Sequence, residues 1–194
     1  MQLQLYDQPV PVTRAADVSD PQWTVIEPRL DSLNGLDGQL HQPAILALRD
    51  TFRLIRRVTV FVATQFRGLR MTRSFVDTSE GHFYWHATDL AADGYSSAER
   101  VMSYLLHDAH HCRQFMNGDK AQDLDSLVRR EVDATDVQLI FARTASAADR
   151  GFITFLENYR DDPDAIKARL KTGVGFVESM LFAKPRYQSH LAIF

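Results

Sequence analysis

One stretch constrains this chain more than any other: Tyr104-Leu-Leu-His-Asp-Ala-His-His-Cys-Arg-Gln114, which holds three of the seven histidines within five residues. On an α-helix each residue advances about 100°, so His111 falls about 40° from His107, and Asp108 about 100° from it. These side chains share one face. Two imidazoles at i and i+4 can grip one divalent cation, with a carboxylate beside them to handle a metal-bound water. Met102, Leu105, Leu106 and Ala109 occupy the opposite face, as a helix backed onto a core requires. The stretch therefore predicts a buried helix with one chemically loaded side. It opens at Ser96-Ser-Ala-Glu99, a capping-box pattern, and stops near Asn117-Gly118.

The rest of the chain predicts a predominantly helical α+β protein, with 194 residues enough for one domain. Residues 1–40 hold four of the seven prolines and read as irregular with short strands, Gln2–Tyr6 and Trp23–Ile26 among them. From Pro43 a long helix is expected through about residue 66, although Val58-Thr-Val-Phe-Val62 favours a strand. Its four arginines, Arg49, Arg53, Arg56 and Arg57, read as a solvated, salt-bridged face. Residues 69–90 predict a hairpin of Leu69–Val76 and a run from His82. His82 and His86 would lie too far apart in a strand to share a metal, and are expected to be structural or to line a cleft.

Beyond the central helix, a helix is expected from Asp123 or Asp125 to Thr144, carrying Glu131, Asp133 and Asp136. Further helices are expected over 149–158, from Asp162-Pro163 to before Gly173, and over Val174–Phe182, with a tail containing Tyr187 and His190. A net charge of -3 gives no reason to expect nucleic-acid binding, and a single cysteine fits a reducing compartment. No signal-peptide pattern or membrane-length apolar run is visible, so a soluble cytoplasmic protein is expected.

Glu131 follows His111 by twenty positions. A histidine pair spaced HxxxH, an acid after the first histidine and a glutamate on the next helix resemble the gluzincin branch of the zincin metallopeptidases, whose pattern is H-E-x-x-H followed by Glu. The resemblance covers roughly residues 42–142; residues 146–194 would add C-terminal helices and a tail. It implies a zincin-like fold: a small antiparallel sheet, a backing helix from residues 42–66, the active-site helix and the glutamate helix. It also implies that His107, His111 and Glu131 bind Zn2+, and that Asp108 stands as general base towards a peptide or small amide substrate. The sequence departs from the family at Asp108, whose carboxylate is one methylene shorter than that of glutamate, a withdrawal of about 1.5 Å.

Other roles stay open at this stage. His110 can replace His111 in an i, i+3 pair or serve packing, and Asp133 or Asp136 can support a ligand imidazole or form a solvated patch. Cys112 reads as a small buried hydrophobe. Tyr84, Tyr159, Tyr187, His86 and His190 are candidate oxyanion donors. Three functions compete with a wholly structural histidine cluster: a zinc hydrolase, a non-catalytic metal protein and a helical-bundle iron protein built on Asp108-x-x-His111.

Overall fold

The computed structural model describes residues 1–36, 39, 42–66, 69–92, 95, 97–119, 121, 123–145, 149–171 and 191–193. It is a mixed α+β structure with a small sheet. The chain opens with a hairpin, β1 (Gln2–Leu5) against β2 (Gln8–Arg14), whose inward residues Leu3, Leu5 and Val10 are fully buried. Helix α1 (Asp20–Asp31) follows, where the Trp23–Ile26 run was expected to be a strand. The local chemistry explains the difference. Ser19 Oγ accepts from Gln22 N at 3.4 Å while Gln22 Oε1 accepts from Ser19 N at 3.1 Å, a closed capping box with Pro21 in the first turn. Ile26 and Leu30 then fall one turn apart on the buried side.

The long helix expected over 43–66 is not present. Two single turns, α2 (Pro43–Leu46) and α3 (Arg49–Phe52), precede β3 (Arg57–Phe61) and β4 (Thr64–Phe66). The β-branched residues of Val58-Thr-Val-Phe prevail here because β3 is the middle of a sheet, with Val58, Val60 and Phe61 fully buried. The arginines behave as a solvated face: Arg53 pairs with Asp7 and Asp50, and Arg57 with Glu80, all substantially exposed.

The expected 69–90 hairpin divides into two. β5 (Leu69–Met71) pairs with β4, while β6 (Phe75–Asp77) pairs antiparallel with β7 (His82–His86). The main sheet has the order β1-β2-β3-β7-β6-β8, where β8 is Leu191–Ile193. It is mixed rather than antiparallel: β2 with β3 and β3 with β7 run parallel. Parallel neighbours need a crossover, and α1 provides it between β2 and β3. One further short helix, α4 (Ala87–Ala91), leads on from β7.

Gly81 fixes the turn between β6 and β7. Its φ is +62°, its carbonyl accepts from Arg56 N at 3.0 Å, and a Cβ there would lie 2.1 Å from the Leu54 carbonyl oxygen. Gly81→Ala is therefore expected to cost about 2 kcal/mol or more, from the left-handed backbone and the clash with main chain, and to lower the melting temperature measurably.

His82 and His86 are structural, as their spacing suggested. His82 Nε2 lies 2.8 Å from the Thr59 hydroxyl, and burial pushes its imidazole down to about 4. His86 Nδ1 accepts from Thr88 N at 3.3 Å and caps α4.

The remaining described elements are helices: α5 (Ala98–Met116), α6 (Leu124–Ala145), α7 (Arg150–Arg160) and α8 (163–171). One apolar cluster runs from Leu3 in the sheet through α1 and α5 to Phe141 of α6. Val174–Phe182, Tyr187 and His190 lie outside the described residues, within which no helix is long and apolar enough to cross a membrane.

Candidate metal centre

Helices α5 and α6 carry the site, and each is fixed at its start by a side chain. Ser97 Oγ accepts from Arg100 N at 3.3 Å, so the cap of α5 sits one residue later than the sequence pattern indicated. At α6, Ser126 N donates to Asp123 Oδ1 at 2.7 Å and Asp123 N to Ser126 Oγ at 3.0 Å, a reciprocal cap. Gly118, at φ +74°, closes α5 in the left-handed conformation that glycine adopts at helix ends. The apolar face of α5 is sealed, with Met102, Leu105, Leu106 and Ala109 fully buried.

On the opposite face, His107 and His111 meet Glu131 of α6, all three buried. The two Nε2 atoms are 3.1 Å apart; Glu131 Oε2 lies 3.4 Å from His107 Nε2 and its Oε1 3.3 Å from His111 Nε2. A tetrahedral zinc with bonds of about 2.0–2.1 Å to nitrogen and oxygen places its ligand atoms about 3.3–3.4 Å apart. Each of these contacts has the length of such an edge, although the histidines meet different oxygens of Glu131, and one ligand atom from each residue can be chosen with all three within 4.8 Å of one another.

Tautomers strengthen the fit. His107 Nδ1 contacts Gln138 Oε1 at 2.9 Å and His111 Nδ1 contacts Gln114 Oε1 at 2.8 Å. Each amide makes a further bond, and those of Gln114 fix which way it points. Gln114 Nε2 donates to the Arg130 carbonyl at 3.1 Å and its Oε1 accepts from Arg130 Nε at 3.1 Å, while Gln138 Nε2 donates to Ser103 Oγ at 3.4 Å. A glutamine oxygen only accepts, so these contacts suit a proton on each Nδ1, the tautomer that leaves Nε2 for a cation. Two imidazoles and a carboxylate that converge in a buried space could hold a cation.

Without a metal the three groups act on one another. Burial lowers His107, favouring the neutral imidazole that a metal needs. Burial alone would raise Glu131, but His111 and His107 overcome it and hold the carboxyl well below its usual range. Asp108, next along α5 and also buried, is different: burial pushes its carboxyl well above the usual value, opposed by a hydrogen bond from the Trp85 side chain.

The structure brings together His107, His111 and Glu131, with Asp108 and His107 both lining a cavity beside them. His110 is not part of the triad, and burial pushes its imidazole down to about 4. Cys112 is buried, with its thiol pushed up to about 12, as a small hydrophobe would be. The expected supporting aspartates do not hold the ligand imidazoles. Asp136 instead lies 3.5 Å from Arg160, half-exposed. Gln114 and Gln138 take that position. Each stands seven residues after a ligand, Gln114 after His107 and Gln138 after Glu131, two turns along the same face. Of the oxyanion candidates, Tyr159 reaches the cavity, whereas Tyr84 stacks on Phe75 with ring centroids 4.4 Å apart.

Gln138→Leu removes the acceptor that fixes His107. It is expected to weaken metal binding about 10- to 100-fold, measured by chelator competition, with the helical content unchanged.

Comparison with protein-family models, curated proteins and solved structures finds no match.

Proposed function

We propose that the chain is a zinc-dependent hydrolase of zincin-like build, acting on a peptide or amide bond. The observation that carries this reading is the buried group of His107, His111 and Glu131, whose two Nε2 atoms lie 3.1 Å apart and within 3.4 Å of the Glu131 carboxylate. A backing helix and a small sheet precede α5, in keeping with the resemblance, although the helix is α1 rather than residues 42–66. When bound, zinc would supply a Lewis acid that polarises a carbonyl and lowers the pKa of water.

The chain's own residues have distinct tasks in this reading. Gln114 and Gln138 hold the histidines in one tautomer and orientation. Asp108 takes up and returns the proton, and burial, which raises its carboxyl, favours holding that proton between the two transfers. Trp85 orients that carboxyl. The aromatic walls of the cavity limit water around the reacting groups.

A second reading has one observation in its favour: aspartate stands where the family uses glutamate. In that case the metal links α5 to α6 without turnover. The iron-bundle reading would need a second ligand cluster, and among the described residues the triad stands alone. The test is a panel of peptides and N-acyl amino acids offered to zinc-loaded protein. Turnover that chelation stops and zinc restores is expected; an inert panel would leave only the non-catalytic metal protein.

A further inference from the structure

The cavity beside the triad has a volume of about 230 Å³, with His107, Asp108 and Gln138 on one side. Its other walls are aromatic: Trp85, Tyr95, Tyr104, Phe155 and Tyr159 contribute. These rings support one another, Trp85 edge-on to Tyr95 at 6.1 Å and Tyr95 against Tyr104 at 4.6 Å. Ligand pockets commonly measure about 300–1,000 Å³, so this one suits a single large side chain rather than an extended segment.

Among the described residues, one cation lines it. Arg169 of α8 borders the cavity and is held at Tyr159, its guanidinium hydrogen-bonded to the Tyr159 side chain and its central carbon 5.4 Å from the ring centroid. Its charge reaches Tyr95 and Tyr104 on one wall and His107 and Asp108 on the other. Glu131 faces the two histidines. Aromatic walls with a guanidinium at the edge are complementary to an apolar group that bears an anion, and the planar guanidinium matches a carboxylate in particular.

We infer that this cavity receives an aromatic or large apolar amino-acid residue bearing a free carboxylate, with Arg169 binding the carboxylate. The inference rests on the hydrolase reading for its amide: the bond cleaved would be the one joining that terminal residue to the rest of the substrate. A peptide C-terminus and an N-acyl amino acid share this chemistry.

The test is calorimetric titration with 3-phenylpropanoate and its neutral counterpart 3-phenylpropanamide. Zinc-loaded and chelator-treated wild-type protein are compared with Arg169→Gln and Arg169→Lys, with zinc content and circular dichroism recorded for each sample. The carboxylate is expected to bind about tenfold or more tightly than the amide in both metal states. The preference should vanish in Arg169→Gln and return in part in Arg169→Lys. Equal affinities in the wild type would overturn the inference and need no variant. A preference that survives in zinc-loaded Arg169→Gln would also overturn it, placing the carboxylate on the metal and leaving Arg169 a clasp on Tyr159. Hydrolysis of N-acetylphenylalanine against a tripeptide ending in phenylalanine separates the two sources. If neither is cleaved while the Arg169-dependent preference persists, the hydrolase reading fails and the binding site stands.

Discussion

Purified protein is expected to carry about one zinc ion per chain, and His107→Ala and Glu131→Gln to carry essentially none. In the proposed site each substitution removes one of three protein ligands, which meet through contacts of 3.1–3.4 Å. Two protein ligands cannot compensate for the lost partner of a buried site. The effect on stability should be equally plain. A ligand present at about 1,000 times its dissociation constant stabilises the fold by about 4 kcal/mol, which for a chain of this size corresponds to a shift of about 10 °C in melting temperature. Chelation of the wild type should produce that shift, and chelation of Glu131→Gln should produce almost none. Glu131→Gln is the more decisive variant. It keeps the shape of the side chain and removes only the charge, so a stability change on chelation cannot be ascribed to a cavity. Elemental analysis by mass spectrometry reads the metal directly. Zinc retained at full stoichiometry in both variants would place the ion elsewhere and sink the triad as its site.

The ease with which the triad could be read from the sequence has a physical basis. Helix α5 advertises itself because its two faces differ so sharply: Met102, Leu105, Leu106 and Ala109 are fully buried on one, and the histidines cluster on the other. A short connection then forces α6 back along α5, so Glu131 had few places to go. Local patterns of this kind survive folding because the contacts they depend on are near in sequence. The sheet was harder to read for the opposite reason. Whether Val58–Val60 forms the end of a helix or a central strand depends on Val12 and Phe83, its partners on either side, which lie far away in the chain. Trp23–Ile26 looked like a strand because its residues favour one, while Ser19 and Gln22 decided for a helix from outside the run. Gln114 and Gln138 were missed because an amide carries no charge and no reactivity, and only its position two turns from a ligand marks it. Arg169 lies on α8, ten residues after Tyr159 but far in sequence from His107 and Asp108, and no motif connects it to α5.

Asp108→Asn is expected to lower turnover by about 10²- to 10⁴-fold while leaving the zinc content unchanged. The amide oxygen can still accept the hydrogen bond from Trp85, so the side chain should keep its place. What it loses is the ability to take up a proton. The wild-type carboxyl is also a strain on the metal-free fold. Burial raises its pKa above the unfolded value of about 3.9, so stability is lost as pH rises from that value through the folded one. At neutral pH the metal-free Asn variant should therefore melt at or above the temperature of the metal-free wild type. A buried carboxyl that costs stability and is needed for turnover is the pattern of a functional group; one that only fills space would show the stability gain alone. Asp108→Glu adds a third point to the series. It extends the carboxyl by about 1.5 Å, to the length found in the motif that the sequence resembles. If Asn retains wild-type turnover, Asp108 is not the proton carrier. If Asn is inert and Glu is active, the short side chain is a tolerated variant of the same chemistry.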